Sequence, residues 1–345
     1  MTNNEMPYEW RYYYEKRGLR NTSNMIGLAF ILATLLPTVI MLIFGIVSGI
    51  IVGIISLGTD VYAYDRFMYF LEGAEFALIS QFFLSILMFT LPFLIIPVGT
   101  KRSTAEIVTL KKVSPLLFIL LVFMALGMTS LGNGASTGLN ALWQAVFGRD
   151  MQTVSFIIPD NIFMKIFYVI TVSIVPALVE EFAMRGLVLG SLRKYGNMFA
   201  VVMSSLLFGL MHGNLTQFVF AFITGIGLGL CVIISDSLWP AITVHFINNF
   251  MSIVLDDWIA PHLSDSEYIW MFIIYMAALF VIGLAAFIII MVKYKKPLHE
   301  KPDTVLSLGQ RTELFIVSPA MIILLLIFVA QIVILETGIL TYLYA

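Results

Sequence analysis

The sequence predicts an all-α, polytopic membrane protein: about nine transmembrane helices with a catalytic helix-bundle core. Three observations predict it. Hydrophobic residues fill 60% of the 345 positions and charged residues only 12%, half of the about 25% that a water-soluble domain carries. The apolar residues gather into runs near the roughly 20-residue length that crosses a bilayer as a helix, the form that leaves no backbone polar group unpaired in hydrocarbon. The few ionisable side chains inside those runs are concentrated in one stretch of the chain. A soluble α/β enzyme, a nucleic-acid binder and a disordered regulator are excluded as readings of the whole chain. A net charge of −2 also argues against a polyanion partner.

The spans are expected at 26–54, 68–98, 115–132, 163–190, 198–213, 216–234, 239–256, 268–292 and 314–336. The first exceeds one straight crossing, so it must tilt or protrude. Before it, residues 1–25 carry Tyr8, Trp10, Tyr12, Tyr13 and Tyr14 among mixed charges, which suits a cytoplasmic interfacial segment anchored by its rings and not a cleavable signal. Gly45, Gly49 and Gly53 recur every fourth residue of span one and are expected to pack inside the bundle. The stretch 132–160 is expected to be an outer loop, with a short surface helix within it as the alternative. Four regions result: 1–25, the N-terminal helices and outer loop over 26–158, a catalytic core over 159–256, and the C-terminal helices over 257–345. Cys231, alone, can form no internal disulfide.

The basic residues orient the chain through the positive-inside rule. Arg11, Lys16, Arg17 and Arg20 precede span one, and Lys101, Arg102, Lys111 and Lys112 separate spans two and three. Arg193 and Lys194 separate four and five; Lys293, Lys295, Lys296, Lys301 and Arg311 separate eight and nine. These 15 of the 19 Lys and Arg fall on one side of a nine-span arrangement. The expectation is a multi-pass protein of the cell membrane with its N-terminus in the cytoplasm.

Ionisable groups inside a membrane are costly and mark function or a specific partner. Glu180, Glu181 and Arg185 lie in span four, His212 ends span five, and His245 lies in span seven with Asn248 and Asn249. Glu181 and Arg185, four apart, share a helix face and can pair. Glu180 is rotated by about 100° from Glu181 and is left for chemistry. Pro176, four residues earlier, can kink the helix and open a cavity beside it. Phe208 shares a face with His212, and His245 with Asn249. The last pair can donate hydrogen bonds to a developing oxyanion. One carboxylate and one histidine to activate water, with an imidazole and an amide for the oxyanion, suffice to hydrolyse an amide without a serine or cysteine nucleophile. Zinc is the rival use of two histidines and a glutamate, but the helical H-E-x-x-H spacing is absent. Each residue alone fits packing or a proton relay; three motifs within about 70 residues favour a site. Glu72, Glu75, Lys165 and Glu336 are read as ordinary interfacial or packing residues, and His262 and His299 as loop residues. One difficulty is depth: these boundaries set His245 toward the cytoplasmic side and His212 toward the outer side. Cooperation requires a dipped segment around Asp236 to Pro240, or displaced spans five and six.

Residues 175–186 (VPALVEEFAMRG), 208–212 (FGLMH) and 245–249 (HFINN) resemble, in order, the E-E-x-x-x-R, F-x-x-x-H and H-x-x-x-N/D motifs of the CPBP intramembrane proteases. These are relatives of the type II CAAX prenyl endopeptidase, also called the Abi family. The resemblance covers about 160–255, and Met184 departs from it where an aromatic residue usually precedes the arginine. It implies an intramembrane peptidase of glutamic type, with a metallo-type account as the rival. Glu180 and His212 would activate water, His245 and Asn249 would hold the oxyanion, and Glu181, Arg185 and Phe208 would support the site. No cofactor is implied, zinc being the alternative. The implied partners are a membrane-associated peptide or protein substrate and the lipid bilayer, with no nucleic acid and no requirement for prenylation. Two other functions use the same residues: a proton-coupled membrane transporter, which the lack of an internal repeat disfavours, and a non-catalytic membrane scaffold or immunity protein.

Overall fold

The computed structural model describes residues 7–56, 61–152, 161–294 and 302–337. Lys295, Lys296, Lys301 and His299, and part of the expected outer loop (153–160), lie outside them. In chain order the helices are α1 (Tyr8–Ser56), α2 (Val61–Glu72), α3 (Ala74–Thr90), α4 (Ile95–Thr100), α5 (Thr104–Ile107), α6 (Pro115–Phe147) and α7 (Ile162–Tyr195). They continue with α8 (Asn197–Leu210), α9 (Leu215–Ser235), α10 (Trp239–Ser252), α11 (Asp265–Lys293), α12 (Leu308–Ile316) and α13 (Pro319–Thr337). Among the described residues the only β pairing is an isolated bridge between Leu110 and Ser237. The protein is an all-α, multi-pass membrane protein.

Helix covers every expected span, but the count of nine is not established. Seven helices are long and apolar enough to cross a membrane. α8 has 14 residues, about 21 Å against a hydrocarbon core of about 30 Å, whereas α10 runs on without a break into π-helical Ile253–Ile259. Span two is interrupted at Gly73 and again after Thr90, with Glu72 and Glu75 exposed at the first break. α1 is one helix of 49 residues, about 74 Å long, so the aromatic segment from Tyr8 is continuous with the first span. A Cβ on Gly45 or Gly49 would meet no neighbouring atom, so these two glycines do not serve the internal packing expected of them.

The expected outer loop is corrected over its first half. α6 runs on to Phe147 and ends where Gly148 takes a left-handed conformation, φ +69°. The glycines that suggest a loop permit close packing instead: a Cβ on Gly132 would lie 2.9 Å from the Phe220 carbonyl of α9. Gly127 meets Gly283 of α11 in the same way, since a Cβ on Gly283 would lie 2.6 Å from the Gly127 Cα. α6 is thereby clamped between α9 and α11, while exposed side chains such as Leu42, Ile46, Ile274 and Leu326 face outward from α1, α11 and α13. Glu336 of α13 is buried and accepts from the backbone N–H groups of Gln152 (3.3 Å) and Leu215 (3.4 Å), tying the C-terminal helix to the start of α9.

The segment around Asp236 to Pro240, where a dip is expected, is tied to the chain that follows α4. Lys101 turns that chain with φ 53°, and Ile107 at the end of α5 is buried beside α7. Gly190 and Gly186 make the room: side chains there would strike Ile107 and come within 3.2 Å of Val108. The Leu110–Ser237 bridge and the Leu238 N–H to Thr109 O bond (3.0 Å) hold the start of α10 against this segment. Leu238 consequently lies beside Gly186, and His245, two turns further along α10, comes level with Glu181.

The outer end of this segment is fixed by Asp236, itself left-handed at φ 55°. Its carboxylate accepts from Arg193 Nη1 at 2.6 Å and from Lys111 Nζ. Burial pushes the Asp236 carboxyl up, but the two cations outweigh it and hold it below the usual aspartate value. A carboxylate lowered on folding adds stability that is complete above its unfolded pKa of about 3.9 and is lost as pH falls through the lower folded value. Asp236→Asn should therefore lower the melting temperature of the detergent-solubilised protein at pH 7 and flatten its acid dependence; melting curves across that pH range, showing no difference from wild type, would refute this role.

Candidate active site

α7 presents the first part of the site. It is not regular: Ile170–Ile174 and Phe182–Leu189 are π-helical, a form that appears as short bulges, often at functional sites. Glu181 and Arg185 pair as their spacing predicts, Nη1 to Oε1 at 2.8 Å, with both side chains fully buried. The guanidinium also donates from Nη2 to Gly225 O of α9 at 3.3 Å and lies over the Phe208 ring of α8, 4.2 Å from its centroid. A Cβ on Gly225 would come within 3.1 Å of the guanidinium, so this glycine admits the arginine. Met184 is fully buried in the core.

α10 adds His245. The Glu181 carboxylate can only accept, so the 2.9 Å contact from His245 Nδ1 carries the proton on Nδ1. The other nitrogen, Nε2, lies 4.0 Å from Glu180 Oε2. Glu181 thus holds Arg185 and His245, and Glu180, turned away from it, lines a cavity of about 670 Å³ with His212, His245 and Asn249. The structure brings all four expected catalytic residues to one cavity.

His212 follows the end of α8. Its Nδ1 lies 2.7 Å from Phe208 O; a carbonyl only accepts, so Nδ1 holds the proton and Nε2 keeps its lone pair. The backbone there is fixed by Asn214, whose side chain caps α9 by accepting from Gln217 N (2.8 Å) and donates to His212 O (3.1 Å). Phe208 stands between the two histidines, edge-on to both, with centroids 5.1 Å from His212 and 5.9 Å from His245.

Pro176 lines the cavity at the turn before Glu180 and does more than bend the helix. It has no N–H to return to the carbonyl of Val172, four residues earlier, and that carbonyl accepts the Asn249 amide at 3.2 Å. Sequence reasoning did not connect these residues, nor find Gly225 or Asn214, and it placed Asn248 in span seven without a role. Only Asn214 had a readable signal, the helix-capping pair with Gln217 three residues on. Among the described residues, no three His, Cys, Asp or Glu side chains converge as a metal site would need.

Residues 162–251 match the family described as Type II CAAX prenyl endopeptidase Rce1-like. This segment is Rce1-like. The match covers α7 to the end of α10, the helices that carry Glu180, His212, His245 and Asn249, and over that segment the chain is similar to CAAX-type endopeptidases. Comparison with curated proteins and with solved structures gave no match. The supporting pair of the Rce1-like segment yields a stability test. Arg185→Leu leaves Glu181 charged and buried without its guanidinium, which costs about 3–5 kcal/mol; thermal melting should show a large drop, and a wild-type melting temperature would contradict the assigned pairing.

Proposed function

We propose that the protein is an intramembrane endopeptidase of glutamic type that hydrolyses a peptide bond in a membrane-associated peptide or protein. The observation that carries this reading is the division between two adjacent carboxylates. Glu181 is consumed by Arg185 and His245, whereas Glu180 opens on the cavity beside His212. Glu180 accepts no hydrogen bond from a cation among the described residues, the nearest being His245 Nε2 at 4.0 Å, and it faces the cavity, which suits a general base.

In the proposed reaction His212 Nε2 accepts a hydrogen bond from water and orients it. Glu180 removes a proton, and the hydroxide oxygen bonds to the carbonyl carbon. His245 Nε2 and Asn249 Nδ2 donate to the resulting oxyanion. Because His245 already gives its Nδ1 proton to Glu181, donation from Nε2 requires the imidazolium form. That charge suits the site: two glutamates, one arginine and one imidazolium sum to zero. Collapse of the intermediate breaks the C–N bond, and Glu180 returns its proton to the departing amine, leaving a carboxylic acid and an amine as products. No metal enters this scheme. The proposed setting is the cell membrane, with the N-terminus cytoplasmic.

Comparing peptides and processed membrane proteins from wild-type and Glu180→Gln membranes tests the reading and names the substrate. Wild type should yield products absent from Glu180→Gln, with the variant protein accumulating normally; for a group acting as general base the loss should be at least 10²-fold. Identical product sets would refute the reading, and flux across sealed vesicles without products would favour a transporter. Zinc bound stoichiometrically to active protein, with activity lost on chelation and regained on adding zinc, would replace the metal-free scheme.

A further inference from the structure

We infer that Asn248 is a positioning residue that fixes the orientation of the Asn249 amide, an inference that rests on the peptidase reading above. Asn248 is the neighbour of the residue assigned to the oxyanion and lines the same cavity. Its Nδ2 donates to Asn249 Oδ1 at 3.1 Å, while Asn249 Nδ2 donates to Val172 O at 3.2 Å. Successive residues of a helix normally point about 100° apart, so this contact requires the two amides to lean toward each other at the cavity wall.

The consequence follows from amide chemistry. An asparagine can rotate its terminal group by half a turn, exchanging a donor NH2 for an acceptor oxygen. For the oxyanion, the exchange replaces a hydrogen-bond donor with a repelling oxygen. Two neighbours oppose it here. The Val172 carbonyl would face Oδ1, and Asn248 Nδ2 would face another NH2. With both in place, Asn249 gives one amide hydrogen to Val172 and keeps its second for the cavity. The donor is then set before substrate arrives, which is what makes such a group effective.

Asn248→Leu keeps the shape and removes the donor; Asn248→Asp offers only acceptors and favours the rotated Asn249. The probe is a synthetic peptide spanning the cleavage site that the comparison of wild-type and Glu180→Gln membranes identifies. Both variants should lower kcat about tenfold or more, with Asn248→Asp the worse, and leave KM and the melting temperature near wild type. In an Asn249→Ala background the Asn248→Leu change should alter kcat by less than about twofold, because a residue acting through Asn249 has nothing left to orient. Wild-type kcat in both single variants, or losses that multiply with Asn249→Ala, would overturn the inference. If Glu180→Gln is inactive in the same assay, that outcome leaves the peptidase reading intact. If Glu180→Gln cleaves like wild type, or wild type gives no product, both fall together.

Discussion

One buried guanidinium organises the site. Arg185 would be untenable alone in this interior, because an isolated buried charge costs several kcal/mol after relaxation. Its neutralisation draws in four elements: Glu181 on its own helix, the Gly225 carbonyl of α9, the Phe208 ring of α8 and, through Glu181, His245 of α10. Two of these partners also set a group that faces the cavity. Phe208 carries the carbonyl that fixes the His212 ring, and Glu181 fixes His245. The demand for charge compensation in a low-dielectric interior and the geometry needed for hydrolysis are therefore met by one set of side chains.

The second constraint is the entry to α10. α8 is too short for an ordinary crossing, whereas α10 runs on unbroken into π-helical Ile253–Ile259. Residues 107–109 pack against α7 and the start of α10, and Gly186 and Gly190 are what admit them. The Leu110–Ser237 bridge and the Asp236 ion pairs fix that entry. Inside α7 the π-helical stretch before Pro176 presents the Val172 carbonyl to Asn249, so an irregularity in one helix orients a side chain of another.

The site was legible to the extent that local periodicity governs it. Glu181 and Arg185 pair because they are four apart, and Glu180 faces elsewhere because it is one residue away; both follow from 3.6 residues per turn. The three motifs carried enough of the pattern to suggest the Rce1-like resemblance. Tertiary partners were not legible. Nothing at Gly225 or Val172 signals an acceptor for a distant side chain, and Asn248 differs from Asn249 only through what each meets across the cavity. The error at 132–147 has a similar cause. Glycines at 132, 134 and 138 have the composition of a loop, and only the close approach of α9 at Gly132 explains a glycine inside helix. Helix existence was readable from hydropathy, whereas the number of full crossings was not, because α8 is apolar but short and α10 carries polar residues along an otherwise long helix.

The central claim is that neighbouring carboxylates divide support from chemistry. The most direct measurement is the pair of melting temperatures of Glu180→Gln and Glu181→Gln in one detergent. The account predicts that Glu180→Gln melts at or above the wild-type temperature, since a group held for chemistry contributes little to the fold, and that Glu181→Gln melts several degrees lower, having lost the partner of Arg185 and His245. Equal melting temperatures, or a larger loss in Glu180→Gln, would contradict it.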